Sequence, residues 1–466
     1  MGPSSTEHDD HVRDVGLRPS VVIVGGGFAG LAAARALGAA EADVLLLDRQ
    51  NHHLFQPLLY QVATAALSPG NIAAPIRKVL NRQTNTRVIL AQVTDVDVDA
   101  HTVTAGDVPY AYDYLVVAAG AVTNYFGHDE WSEFAPGLKT IDEALDVRSR
   151  LLLAFEQAEV EGDEDARRAA LTFAIVGAGP TGVEMAGAMV EIARTTLRRD
   201  FRRIDTNAVR VVLVDAHDRV LSTYTPDLSA RARSDLEAMG VEVMLDTLVV
   251  GVDEAGLTVQ GPSGTERIAA HNMVWAAGVK AAPCGAGLGA PLDRTGRVIV
   301  GDDLTLPGHP EVFVVGDLAH RIDPRTEAPV PGVAQGGIQM GRFAGRAIAA
   351  EIAARGAGRP SPTRNVFVYK DKGSLATIGK NKAVADIRGL RFGGTLAWLA
   401  WALIHVFFLI GFRRRLLAMT EWLWMYVTGG RGVRLITGGV RLPRPLKPPE
   451  DRLEETPPTD PTQTAS

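Results

Sequence analysis

The sequence predicts an α/β protein with two Rossmann-like dinucleotide-binding domains and a C-terminal membrane-surface region. Three observations predict it. VVIVGGGFAG, at 21–30, runs four β-branched residues into Gly25, Gly27 and Gly30 and then into the helix-favouring LAAARAL. The same order of strand, glycines and helix returns at Leu171 in LTFAIVGAGPTGVEMAG, with Gly177, Gly179 and Gly182. Residues 388–441 then change to apolar and aromatic runs interspersed with arginine.

Each glycine has a separate physical task. Gly25 supplies the turn's backbone angles, Gly27 lets the backbone approach a pyrophosphate, and Gly30 lets helix and strand pack closely. The pyrophosphate then sits on a helix N-terminus, where free N–H groups and the dipole favour an anion. ADVLLLD ends in Asp48, close to the spacing of ~20 residues expected of a carboxylate that binds ribose hydroxyls. VRVVLVD puts Asp215 in the same place after the second turn. Two complete units imply two dinucleotides facing each other across a domain interface, the arrangement by which hydride passes from a nicotinamide to a flavin. Asp215 favours NADH, because a carboxylate repels a 2′-phosphate, although His217 and Arg219 stand close by.

Size and composition bound the remaining choices. A chain of 466 residues suffices for two or three domains and a sizeable core. Its 48 glycines suit an α/β protein with many tight turns. A net charge of −6 argues against a general nucleic-acid binder. Cys284 is the single cysteine, which excludes an internal disulfide and a redox-active cysteine pair and fits a reducing compartment. The polar start MGPSSTEHDDHVRD has no apolar core of the signal-peptide kind.

Along the chain, 1–18 is expected to be a disordered lead and 19–135 the first part of the FAD domain. Residues 136–285 are expected to form the NADH domain and 286–365 the second part of the FAD domain. A membrane-association and dimer region, 366–441, and a disordered tail, 442–466, complete the chain. The stretch after Asp48 is broken by Pro57, Pro69 and Pro75 and is expected to pack on the flavin ring. Phe55, Gln56, Tyr60 and Gln61 within it read equally as core or cofactor contacts. His52 and His53 lack metal-type partners and read as loop histidines; no metal is expected. YDYLVVAAG and MVWAAGV both end in Ala-Ala-Gly, and small residues there (Ala119, Gly120, Gly278) allow close approach to a ligand or to the other domain. Residues 140–169 read as one helix. EVFVVGDLA, at 311–319, returns the chain to the first sheet and delivers Asp317 to the flavin's ribityl hydroxyls, to a helix N-cap, or to both. In the helix from about 333, Gln335 and Gln339 share one face. Either their amides hold the carbonyl of a second substrate beside a flavin stabilised by the helix dipole, or they are ordinary surface glutamines. Glu184 lies in the first turn after Gly182, where it caps the dipole or serves the nicotinamide ribose or a proton.

LAWLAWALIHVFFLIGF, at 396–412, is almost wholly apolar and runs into Arg413, Arg414 and Arg415. Four of the six tryptophans (Trp398, Trp401, Trp422, Trp424) lie in this region, which carries eight arginines and one glutamate, about +7 in an acidic protein. An element at an anionic lipid surface has this composition. The apolar run falls short of the ~20 residues of a spanning helix and contains His405. A helix lying in the bilayer interface is expected, ahead of a true span or a lipid-free dimer face.

The order of the FAD turn, HHLFQPLLYQVAT, the second turn, VFVVGDLA, AQGGIQ, FVYKDKGSLATIGKNKAVAD and LIHVFFLIGFRRR resembles a type II NADH dehydrogenase over about residues 20–440. The resemblance implies a single-chain NADH:quinone oxidoreductase without proton pumping. It implies one FAD, NADH as donor, a membrane quinone (ubiquinone or menaquinone) as acceptor, and a homodimer peripheral to the cytoplasmic face of the cell membrane. Its FAD residues fall on Gly25, Gly27, Gly30, Asp48, Ala119, Gly120 and Asp317, and its NADH residues on Gly177, Gly179, Gly182 and Glu184. Its quinone motif falls on Ala334, Gln335 and Gln339, with Gly337 where the family has alanine, a change expected to alter the quinone slot. Lys372, in YKDKG, is a candidate positive charge near flavin or quinone. The runner-up function is a soluble FAD-dependent pyridine-nucleotide reductase of a protein or of oxygen, which the apolar C-terminus disfavours.

Overall fold

The computed structural model describes residues 18–437, so the expected lead and tail, apart from Arg18, lie outside the described residues. Two sheets carry the molecule, the second parallel and the first parallel except for its antiparallel edge strand Thr305–Leu306. The first runs in the spatial order Thr305–Leu306, His309–Val314, Tyr114–Val117, Ser20–Val24, Asp43–Asp48, Thr86–Leu90. The second runs Val241–Met244, Arg210–Val214, Thr172–Val176, Asn272–Trp275. Each sheet places its unit's third, second, first and fourth strands side by side, so the two units share one topology. Their central strands are buried on both faces, as an all-apolar pattern requires. The chain returns to the first sheet through His309–Val314, whose Val312, Phe313 and Val314 pair in parallel with Leu115, Val116 and Val117.

A short antiparallel ribbon joins the units. Ala121–Thr123 pairs with Val279–Ala281, and each strand directly follows an Ala-Ala-Gly strand end. Helix α1 (Phe28–Ala36) follows the first turn and helix α3 (Pro180–Glu191) the second. Between them lies helix α2 (Ile141–Val160). The single helix expected over 140–169 is in fact two. α2 starts on a capping box, with Glu143 N–H donating to Thr140 Oγ1 and Thr140 N–H donating to the Glu143 carboxylate. It stops before Gly162, and Asp163 caps a new helix, Glu164–Ala170, by accepting from Ala166 N–H at 2.8 Å.

Helix α4 (Ala334–Gly356) packs lengthwise on α1. Gly337, Gly341 and Gly345 recur every four residues and face α1. A β-carbon at Gly341 would collide with the carbonyl of Ala29, and one at Gly345 would come within 2.6 Å of Ala33 O. These glycines let the two backbones touch. Gly337 is different: a β-carbon there meets Ala29 Cβ at an ordinary 3.6 Å. The methyl missing at this position therefore faces α1, and the quinone-slot change expected from Gly337 is replaced by a packing change.

A three-stranded antiparallel sheet (Ser374–Gly379, Lys382–Ile387, Leu390–Gly393) follows and packs on α3, where Gly187 lies against the carbonyl of Ile378. Helices α5 (Thr395–Phe408) and α6 (Phe412–Thr428) come next, and residues 429–437 end the described chain without a further helix or strand. The apolar run expected to be one helix breaks at Leu409–Gly411, with Gly411 at φ +89°. Among the described residues no helix is long and apolar enough to cross a membrane.

The glycine spacing has a measurable consequence. Gly341→Ala is expected to cost about 1–3 kcal/mol through overpacking. Gly337→Ala is expected to be neutral or to stabilise by up to about 1 kcal/mol through helix propensity. Thermal unfolding of the two variants separates these outcomes.

Candidate active site

The two glycine turns are built alike. Gly25 and Gly177 adopt φ +98° and +102°, which a side chain would strain. A β-carbon on Gly25 would meet Ala118 O at 2.5 Å, and one on Gly177 would meet Ala276 C at 2.6 Å. The turns therefore lie directly against the backbone of the Ala-Ala-Gly strand ends, which only glycine allows. Gly30 and Gly182 each lie against the carbonyl of their own turn's first glycine. A β-carbon on Gly27 or Gly179 would meet nothing within 4 Å, so an open approach lies over each helix N-terminus. This is the opening a pyrophosphate needs, and a β-carbon would fill it.

Both acidic residues brace their turns. Asp48 Oδ2 accepts from Gly26 N–H at 2.5 Å and Oδ1 from Gln50 N–H at 2.6 Å. Asp215 Oδ2 accepts from Ala178 N–H at 2.5 Å and Oδ1 from His217 N–H at 2.8 Å. Burial pushes the Asp48 carboxyl up, against the pull of its two N–H donors. Arg219 is occupied by the carbonyl of Ser222 at 2.9 Å. The expectation of a loop histidine at 53 is corrected. His53 is buried, its Nδ1 lies 3.1 Å from Gly26 O, and its ring meets Phe28 edge-on at 4.9 Å. Burial lowers its pKa to about 4, so the ring is neutral and Nδ1 donates to the turn's carbonyl.

Three more elements converge on the first turn. Gly316 lies against Ala29, and the first turn of α4 reaches Phe28 and Ala29 through Gly337. Asp317 follows Gly316; burial raises its pKa, against the pull of the Lys139 and Arg297 charges. Lys139 is pulled down by burial and up by Asp317 and Glu143. Its backbone is fixed on both sides, by Gln56 Nε2 donating to its carbonyl at 3.3 Å and its N–H donating to Glu143 at 2.7 Å. Sequence reasoning missed Lys139, because it is distant in sequence from every motif. Gly120 (φ +72°) accepts from Ala282 N–H, and Gly278 (φ +80°) packs on the Phe126 ring, so both serve the inter-unit ribbon.

Gln335 and Gln339 lie on one face of α4, next to Ala334, and both grip the same segment. Gln335 Nε2 donates to Gly373 O at 3.0 Å, and its Oε1 accepts from Lys372 N–H at 3.2 Å. Gln339 exchanges both bonds with the Lys370 backbone at 3.0 and 2.9 Å. Each amide thus acts as a rung holding 370–373 to α4. Lys372 itself is exposed, its Nζ 5.9 Å from the Phe408 ring centre.

Glu184 sits apart from these glutamines, and because α3 already begins at Pro180 it lies beyond the first turn where it was expected to cap the dipole. It is 8 % exposed and lines a cavity of about 190 Å³ between α3, Ser374–Gly379, α5 and α6. Tyr60, Gln61, Trp401, Trp422 and Arg431 line the same cavity, and neither Gln335 nor Gln339 does. Burial raises the Glu184 carboxyl to about 8, against weak donation from Thr377 N–H at 3.5 Å and the nearby Trp401 indole. Trp422 Nε1 donates to Gln61 Oε1 at 2.7 Å, and Gln61 Nε2 donates to Tyr60 OH at 2.9 Å. Arg431 is buried and donates to Thr64 O at 2.6 Å. The tryptophans expected at a lipid surface are therefore divided. Trp401 is 3 % exposed and faces inward, whereas Trp424 is 61 % exposed. The arginine cluster is divided too. Arg414 donates to Ala73 O and Arg415 to Leu409 O, leaving Arg413 exposed.

Fold and paired turns define a flavoprotein with two dinucleotide-binding domains. The family described as pyridine nucleotide-disulphide oxidoreductase matches residues 19–341, although a chain with one cysteine holds no dithiol pair. The NDH2 C-terminal domain family matches 372–431. The chain belongs to the type II NADH:quinone oxidoreductases. It is 48% identical over 433 residues to the type II NADH:quinone oxidoreductase NdhA of Mycobacterium tuberculosis, covering 91% of this chain and 90% of that one. It is 46% identical over 429 residues to Ndh of the same organism, covering 90% of each. The solved structure of NDH2 from Plasmodium falciparum in complex with NADH matches with TM-score 0.81 at 19% identity, over 91% of this chain and 100% of that one, and bears on the fold alone.

The buried carboxyl makes a pH-dependent prediction. Glu184 has a folded-state pKa of about 8 against an ordinary 4.5. Its neutral form is favoured by the fold, so its contribution to stability is complete below pH ~4.5 and is lost as pH rises through about 8. Glu184→Gln stays neutral throughout. The Tm of the parent should therefore fall relative to that of the variant between pH ~5 and ~8, as read by thermal unfolding. A difference independent of pH over that window would contradict a buried neutral carboxyl.

Proposed function

We propose that FAD lies along the Gly25–Gly30 turn and NADH along the Gly177–Gly182 turn, and that a membrane quinone is reduced in the cavity beside Glu184. The observation that carries the reading is the pair of matching turns, each open above its second glycine and braced by an aspartate. Bound FAD supplies the two-electron carrier between donor and acceptor. The chain's own residues bind, orient and protonate. The N-termini of α1 and α3 receive the two pyrophosphates, and Asp48 and Asp215 stand where ribose hydroxyls are expected. Asp317, held opposite Lys139, serves the ribityl side of the first site. Gln335 and Gln339 keep 370–373 against α4, which places Ser374–Gly379 as one wall of the acceptor cavity. Glu184, protonated below about pH 8, has a proton to give to the reduced acceptor.

Access from a lipid surface is supported by the outer faces of α5 and α6. Leu396, Leu399, Leu403 and Phe407 form one exposed apolar stripe on α5. Phe412, Leu416, Met419, Leu423 and Val427 form another on α6, with Arg413 exposed beside it. Helices of 14 and 17 residues fall short of a bilayer's ~30 Å core when upright and suit an interfacial position instead. The protein sits in this reading on the cytoplasmic leaflet, as a homodimer.

The flavin absorbance should bleach on adding NADH under anaerobic conditions and recover on adding a short-chain quinone. A preparation without flavin absorbance contradicts the reading. NADPH should be poorer by roughly tenfold or more in kcat/KM, because Asp215 opposes a 2′-phosphate and Arg219 is occupied. The double variant Leu403→Glu, Phe407→Glu should leave the pellet when centrifuged with anionic vesicles, where the parent chain stays bound. Equal binding of both would count against the lipid-facing stripe.

A further inference from the structure

Among the described residues lining the cavity beside Glu184, one buried indole N–H lacks a hydrogen bond of full geometry. Trp401, near the middle of α5, is 3 % exposed, and its Nε1 has no hydrogen-bond partner among the described residues. Its ring is fixed from two sides. His405 stacks on it at 4.4 Å and the Trp422 ring lies 5.4 Å away. His405 is itself anchored, with Nδ1 donating to Trp401 O at 2.7 Å, and burial keeps it neutral. Trp422, on the same cavity wall, differs in one respect: its N–H is engaged by Gln61. A buried donor without an acceptor is costly to leave so, and native proteins rarely do. The Trp401 N–H draws the Glu184 pKa down, yet the pair does not meet the geometry of a hydrogen bond.

We propose that the Trp401 indole N–H is the donor that fixes one carbonyl oxygen of the quinone in this cavity, beside the carboxyl of Glu184. The inference rests on the reading of this cavity as the acceptor site, and it names the residue that recognises the acceptor. Two features of the wall fit a flat dicarbonyl ring. The indole of Trp422 and the phenol of Tyr60 present aromatic surface in the cavity, while the Trp401 ring, held by His405 and Trp422, contributes its N–H. The N–H and the carboxyl proton supply two donors, and a quinone oxygen is an acceptor only. An aromatic series links the cavity to the first glycine turn. Phe28 lies 6.0 Å from Phe55, Phe55 lies 6.1 Å from His405, and His405 stacks on Trp401. The chemistry balances as NADH + H⁺ + quinone giving NAD⁺ + quinol. Two electrons and one proton originate from NADH. The second proton comes from the Glu184 carboxyl, which is then reprotonated from solvent.

Trp401→Phe keeps an aromatic ring at the stacking position and removes the N–H. It should raise the KM for a short-chain quinone about fivefold, the value of one lost hydrogen bond, with a smaller change in kcat. The carbonyl stretch of a bound ¹³C-carbonyl quinone analogue should shift upward in the variant, a signature that mere loosening of α5 would not give. A second variant, Ala188→Trp, fills the cavity from α3, and Met425→Trp fills it from α6 should the first not fold. Reduction of ferricyanide, an oxidant too hydrophilic for an aromatic cavity, serves as the folding control. If the filled cavity blocks quinone reduction while Trp401→Phe leaves both KM and carbonyl stretch unchanged, the donor assignment is overturned and the acceptor site stands. If a folded, filled variant reduces quinone at the parent's rate, the acceptor site is elsewhere and both fall.

Discussion

A carboxylate that closes a glycine turn from beneath is the contact on which the rest of this structure depends. Asp48 and Asp215 stand at the ends of the second strands of their units and take the N–H of the residue after the turn's first glycine. The bond ties strand end to turn and leaves the helix N-terminus above it open. Because the residue at the first turn position must have positive φ and lie against a neighbouring strand's backbone, only glycine suits it. Two copies of this device, joined by the Ala121–Thr123 and Val279–Ala281 ribbon, bring two nucleotide sites into one molecule.

The second constraint is close approach. Helix α4 meets α1 through glycines, and α3 meets the Ser374–Gly379 strand through Gly187. Each contact brings an additional element to the nucleotide units without thick side-chain layers between. The first delivers the N-terminus of α4 to the first turn. The second delivers the C-terminal sheet, and with it α5 and α6, to Glu184. The C-terminal helices then have two apolar sides. Trp401, Ala397 and Ala418 face the protein, while Leu403, Phe407 and Leu423 face outward. One set builds a wall of the cavity beside Glu184 and the other leaves an apolar stripe exposed, so the two proposed roles, acceptor binding and membrane attachment, fall on the same helices.

Much of the nucleotide machinery was legible in the sequence because it is local. A strand, three glycines and a helix lie within ten residues, and the acidic residue arrives at a spacing set by one helix and one strand. The return of the chain at Asp317 was legible for a similar reason, since a buried strand ending in Gly-Asp has few other uses. The acceptor side was less so. Gln335 and Gln339 share a helix face as expected, but their amides grip the backbone of 370–373. Lys139 carried no signal, and His53 and Trp401 were read as loop and lipid-surface residues although both are buried, because the surroundings of each come from residues distant in sequence. The helix expected over 140–169 failed at Gly162, where a capping aspartate one residue later outweighed continuing helical periodicity.

What the sequence determined by itself is the pair of nucleotide units, their order and the amphipathic character of the C-terminus. Periodicity and turn chemistry act over a few residues and need no partner. Which way a side chain faces within an apolar helix was decided only in the tertiary structure. Trp401 and Trp424 are the same residue type in similar surroundings along the chain, yet one is sealed against Glu184 and the other stands in the open. The difference comes from the sheet that α5 packs upon, and no local pattern encodes that surface.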